Sequence, residues 1–138
     1  GKGEPMLVSG RVLDTEGRPL AGVKIDAWQA NEEGYYDVQQ RGVQPEHNLR
    51  GVFHSADDGA FRFICVKPKC YPIPADGPVG ALLAALERHP YRPAHLHFMF
   101  EAAGYAPLVT HLFVPDDPYL HSDAVFGVRS SLLADWVE

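Results

Sequence analysis

Two histidines, His95 and His97, stand two residues apart in the stretch Arg92-Pro93-Ala94-His95-Leu96-His97-Phe98. Alternate side chains of a β-strand share a face, so both imidazoles would point the same way, one strand repeat apart. Leu96, Phe98 and Phe100 would point the other way and can enter a core. Pro93 suits the start of such a strand, where its missing N–H costs least. Arg92 would lie just outside the regular strand, free to reach whatever the histidines hold. A His-x-His pair has two readings: half of a metal site, or two surface or capped histidines.

Two tyrosines sit outside regular patterns. Tyr36 follows Trp28-Gln29-Ala30-Asn31 and the Gly34 turn, and Tyr71 lies in the stiff segment Lys69-Cys70-Tyr71-Pro72-Ile73-Pro74. Taken singly, each reads as a half-buried packing residue. Taken with His95 and His97, they would supply two phenolates and two imidazoles. Phenolate is a hard, anionic ligand suited to Fe(III), whereas Zn(II) usually takes His, Cys or carboxylate. A trivalent ion would depress the tyrosine pKa far below its usual value of about 10. Two phenolates and a hydroxide would cancel the 3+ charge and hold iron ferric.

The elements that must position these groups are short. The 138 residues suit one domain, 1–138, with a real core. Twelve prolines and 13 glycines, with no low-complexity run, mark a turn-rich chain. A net charge of −6 argues against nucleic acid or an anionic membrane surface as partner. No apolar run has the length to span a bilayer. Two cysteines, Cys65 and Cys70, make no disulfide framework, and a cytoplasmic location is the default, with a secreted or periplasmic origin left open.

Alternation and turn chemistry predict strands over 6–14, 23–29, 49–55, 60–66, 94–102, 108–114 and 124–129. The segment 35–48 reads as a long loop, and the proline-studded 68–78 as irregular. Residues 79–89 carry the one helical pattern, stopped by Pro90. The end, 130–138, reads as a last strand or a short helix. The expected fold class is all-β: a two-sheet β-sandwich of transthyretin or immunoglobulin type, about seven to eight short strands with one short helix in a crossover loop.

The motifs then become specific. Trp28-Gln29-Ala30-Asn31 with Gly34 and Tyr36-Asp37, Arg50-Gly51, Tyr71-Pro72-Ile73-Pro74-Ala75-Asp76-Gly77-Pro78-Val79-Gly80, Arg92 to Phe98, Thr110-His111, Tyr119-Leu120 and Ser122-Asp123-Ala124-Val125-Phe126 run in order along the chain. In these motifs the chain resembles the catalytic domain of the intradiol ring-cleavage dioxygenases. Tyr36-Asp37-Val38-Gln39 and Tyr71-Pro72-Ile73-Pro74 look most like the hydroxyquinol 1,2-dioxygenases among them. The resemblance implies that Tyr36, Tyr71, His95 and His97 bind Fe(III), with Tyr71 the ligand that leaves when substrate chelates and then serves as a base. It implies that Arg92 stabilises the electron-rich substrate ring. His111 falls at a polar position beside the ligands, with a satisfied buried histidine as the other reading, and Ala124 and Val125 fall at a pocket-lining position. The implied reaction takes a catecholic substrate and O2: hydroxyquinol would give maleylacetate, and catechol would give cis,cis-muconate.

Typical hydroxyquinol and catechol enzymes of that family carry an N-terminal helical domain that builds a dimer, holds an amphipathic lipid and leads into one pocket wall. Gly1 falls just after where that segment would end, so the homo-oligomer, the bound lipid and the pocket wall stay open. Two other classes of reading remain. One is a non-catalytic phenol- or metal-binding β-sandwich. The other is a zinc protein using His95, His97 and Cys70.

Overall fold

The computed structural model describes residues 2–135 and 137. Among the described residues eight strands form: β1 (Pro5–Arg11), β2 (Lys24–Trp28), β3 (Arg50–His54), β4 (Ala60–Val66), β5 (Tyr71–Pro72), β6 (Tyr91–Arg92), β7 (His95–Glu101) and β8 (Leu108–Phe113). One helix, α1 (Pro78–Ala85), lies between β5 and β6. Four strands pair in the order β3-β2-β7-β8, β1 pairs with β4, and β5 with β6. All these pairings are antiparallel. No helix among the described residues is long and apolar enough to cross a membrane.

Period-two alternation decides the layering. Ile25 and Ala27 of β2 and Leu96 and Phe98 of β7 turn inward, are buried, and meet Phe61 and Phe63 of β4 and Val8 of β1. The β1–β4 pair therefore covers one face of the four-stranded sheet, as expected for a β-sandwich. Phe63 stacks on Phe53 at 4.5 Å, and Phe61 meets Phe98 edge-on. Burying Phe98, 1% exposed, contributes roughly 2–3 kcal/mol. The opposite face of the same strands carries Trp28, His95, His97 and His111, in register across β2, β7 and β8. One sheet thus buries its core on one side and displays its polar chemistry on the other.

Three expectations change. The 68–78 segment is not wholly irregular: Tyr71 and Pro72 form β5, paired with Tyr91 and Arg92 of β6. Pro72 is tolerated because this ladder is an edge, where no N–H is needed. The 79–89 helix instead spans Pro78–Ala85, with Pro78 at its favoured first position; Glu87 then adopts φ 53°, which ends helical geometry. The third change concerns 124–129, which forms no strand. The Asp123 carboxylate captures the amides of Val125 and Gly127, and that local capture competes with a ladder. At the end of the chain Ser130–Leu132 forms a 3-10 turn and Leu133 bridges to Phe113, while residues 136 and 138 lie outside the described residues.

Candidate metal centre

Four donor atoms converge above the outer face of β7. Tyr36 Oη lies 2.7 Å from Tyr71 Oη, Tyr71 Oη 3.0 Å from His95 Nε2, and His95 Nε2 3.1 Å from His97 Nε2. Arg92 Nη1 lies 3.3 Å from the same His95 nitrogen. His95 Nδ1 donates to the Pro93 carbonyl at 2.6 Å, which leaves Nε2 as the bare nitrogen with one lone pair. Three groups crowd that single lone pair. Protons alone satisfy such a cluster poorly, and a cation accepting from all four donors satisfies it well.

Each donor is held by a different device. The β7 ladder fixes both imidazoles, and Trp28, opposite His97 on β2, stacks on it at 5.0 Å with the rings 3° from parallel. Tyr71 is fixed by β5, whose partner residue across the ladder is Arg92. Tyr36 opens the 3-10 turn Asp37–Gln39, with its amide donating to Gln39 Oε1. The Gly34 turn before it presses on β5: a Cβ at Gly34 would sit 3.0 Å from Tyr71 Cβ and 3.3 Å from the Cys70 carbonyl, and φ there is +86°. Gly34→Ala is therefore expected to cost about 1–2 kcal/mol from the left-handed backbone alone, read by urea denaturation. Unchanged stability would mean that the turn relaxes freely.

Burial lowers the pKa of His95 to about 3 and of His97 to about 4, with the Arg92 charge adding to both shifts. Both imidazoles are thus neutral near pH 7, the form that ligates metals. Burial first, and the hydrogen bond to Tyr71 second, pushes Tyr36 well above the usual phenol range. The phenol keeps its proton unless a cation displaces it. The donor chemistry of the cluster therefore fits a hard, highly charged ion.

Two arginine–aspartate pairs flank the four donors. Arg92, 8% exposed, donates from Nε to Asp123 Oδ1 at 3.2 Å. Burial raises the Asp123 pKa, but the Arg92 hydrogen bond and the Gly127 and Val125 amides outweigh it and hold the carboxyl below its ordinary range. Arg50 donates from Nε to Asp37 Oδ1 at 3.1 Å, while Asp37 Oδ2 accepts the His47 amide. That amide belongs to a strained stretch in which His47 and Leu49 have φ of 60° and 55°. Sequence reasoning missed the roles of Asp37, Arg50, Asp123 and Trp28; a buried charge needs a partner, but the sequence does not pair them.

The remaining expected residues divide. His111 lies opposite His97 on β8, with its ring 5.5 Å from those of His95 and His97, and its Nε2 is buried without a hydrogen-bond partner. Burial first, then the Arg92 charge, lowers its pKa. Ala124 is buried, its amide donating to the Tyr91 carbonyl, whereas Val125 is 46% exposed. Cys70 does not join the cluster: among the described residues no three His, Cys, Asp or Glu side chains gather to hold a metal, and tyrosines complete the set instead. The zinc trio of His95, His97 and Cys70 is not assembled.

The family model described as dioxygenase matches residues 1–138. The chain belongs to the intradiol ring-cleavage dioxygenase family. It is 66% identical over 136 residues to hydroxyquinol 1,2-dioxygenase of Rhizobium sp. (strain MTP-10005), covering 99% of this chain and 46% of the relative. It is 57% identical over 136 residues to 6-chlorohydroxyquinol 1,2-dioxygenase of Cupriavidus pinatubonensis, covering 99% of this chain and 49% of that relative. The crystal structure of hydroxyquinol 1,2-dioxygenase from Pseudomonas putida DLL-E4 superposes with a TM-score of 0.91 at 56% identity, covering 96% of this chain and 46% of that one. The chain thus spans less than half the length of these relatives. The intradiol dioxygenase family uses non-haem iron.

Proposed function

We propose that residues 1–138 form one catalytic domain of a non-haem Fe(III) enzyme that opens the ring of hydroxyquinol with O2. The observation that carries this reading is the convergence of two phenol oxygens and two imidazole nitrogens at 2.7–3.1 Å. Tyr36, Tyr71, His95 and His97 would hold the ion. When bound, ferric iron supplies a Lewis acid that accepts two adjacent hydroxyl oxygens and draws electron density from the ring.

The chain's own groups do the rest. Tyr71 Oη would take the proton of one substrate hydroxyl, as a base within hydrogen-bond reach must. Arg92 Nη1 faces the cluster and stabilises negative charge that builds on the ring. His111 Nε2, buried without a partner, supplies a polar contact to the bound substrate or to oxygen. Ala124 and Val125 border the space for the ring. The balance closes without a further reactant: the bond between the two adjacent hydroxyl-bearing carbons would break, both atoms of O2 would enter the product, and hydroxyquinol would become maleylacetate. Relatives named for hydroxyquinol and 6-chlorohydroxyquinol, at 66% and 57% identity, favour this ring over catechol.

The test is a visible spectrum of the iron-loaded chain, titrated without oxygen with hydroxyquinol and separately with catechol. Tyrosinate charge transfer should colour the resting protein, and hydroxyquinol should shift the band to longer wavelength. Admitting air should then bleach it with one O2 consumed per ring. A kcat/KM about tenfold or more in favour of hydroxyquinol is expected. A preference for catechol would move the assignment to a catechol 1,2-dioxygenase. Colour and shift without oxygen uptake would leave a phenol-binding module.

A further inference from the structure

We propose that Asp123 is the counter-charge that allows Arg92 to stand beside a bound cation. The inference rests on the reading above, that Tyr36, Tyr71, His95 and His97 bind a ferric ion. Arg92 brings a permanent positive charge to within 3.3 Å of His95 Nε2, the nitrogen that also meets Tyr71 Oη and His97 Nε2. A metal ion held there would feel that charge at short range and low dielectric, where repulsion is strongest. An unpaired guanidinium at this position would weaken the site for any cation.

The Asp123 carboxylate removes the difficulty. It is 4% exposed, faces Arg92 side-on, and accepts Nε at 3.2 Å and Nη2 at 3.5 Å. Amides of Val125 and Gly127 hold the same carboxylate from behind at 3.3 and 2.8 Å. Arg92 is left with Nη1 directed at the cluster while the pair as a whole is neutral. Gly127 makes the close packing feasible: a Cβ there would lie 3.0 Å from Arg92 Nη2, 3.1 Å from Asp123 Oδ2 and 3.2 Å from His111 Nε2. The arrangement repeats on the other flank, where Arg50, the other arginine whose charge reaches Tyr36 and His97, is paired with the buried carboxylate of Asp37. Asp123 touches no reacting atom; it is a positioning residue acting through Arg92.

Charge balance and mere structural support make opposite predictions for a double variant. Ferric affinity is measured with iron supplied as its nitrilotriacetate chelate, read by the tyrosinate band and by bound-metal analysis. Asp123→Asn, isosteric but uncharged, should lower affinity about 10- to 100-fold, the range for residues that support metal ligands. Asp123→Asn with Arg92→Gln removes both charges and should recover affinity to near the wild-type level. Arg92→Gln alone should bind iron at least as tightly as the wild type, and this arm decides the matter should Asp123→Asn not fold. Undiminished affinity in Asp123→Asn, a double variant no better than that single one, or weaker binding in Arg92→Gln would each overturn the role of Asp123. A wild-type chain that takes up no iron would overturn the metal reading, and this one with it.

Discussion

Tyr36→Phe is expected to leave a folded chain that no longer keeps its iron. The substitution removes one oxygen and no carbon, so the ring can still pack edge-on against Tyr71. What disappears is a donor 2.7 Å from Tyr71 Oη, which on the proposed reading would be one of the two anions that offset a trivalent charge. Dividing the binding free energy of a four-ligand protein site equally gives a loss of roughly 100- to 1,000-fold in affinity. Because the folded apo chain keeps a neutral phenol here, desolvated by burial, losing the hydroxyl should not unfold it. Metal analysis after gel filtration, with thermal unfolding as the control, reads the result. Iron content and visible band equal to the wild type would take Tyr36 out of the ligand set.

Arg92→Gln should give the opposite phenotype: iron retained, turnover lost. Arg92 donates no lone pair to the cluster, so its removal costs no ligand. It does present Nη1 beside His95 Nε2, where charge on a chelated ring would build. Taking away a preorganised donor of this kind typically costs roughly 100- to 1,000-fold in kcat. The anaerobic substrate shift should persist while oxygen consumption collapses. Full activity in this variant would end the proposed role. Loss of the anaerobic shift instead would make Arg92 a determinant of substrate binding and not of the later chemistry. The two variants separate holding an ion from using it.

The sandwich was legible because alternation carries it. The inward run Leu96, Phe98, Phe100 and the outward pair His95, His97 are written on one strand, and a one-residue slip would exchange them. What the residues alone left open was whether the tyrosines pack or ligate, since nothing in the spacing brings Tyr36 and Tyr71 to β7; the family motifs carried that assignment. The unread parts are of another kind. A two-residue strand such as β5 has too few positions to show a period. Residues 124–129 alternate well enough to look like a strand, but Asp123 takes the Val125 and Gly127 amides a ladder would use. The pairings Arg92 with Asp123 and Arg50 with Asp37 depend on loops meeting in space.

The donors are mounted unequally, and that has a mechanical consequence. His95 and His97 ride on β7, flanked on both sides by other strands of the four-stranded sheet. Tyr71 rides on two paired residues, and Tyr36 on a single turn. Backbone segments with few ladder bonds open at lower free energy than the centre of a sheet. The cluster is thus a stiff anchor of nitrogens facing a compliant clamp of oxygens. If the ion proposed above is bound, Tyr36 and Tyr71 are the donors that would yield first to an incoming ligand, and His95 and His97 those that would hold their places.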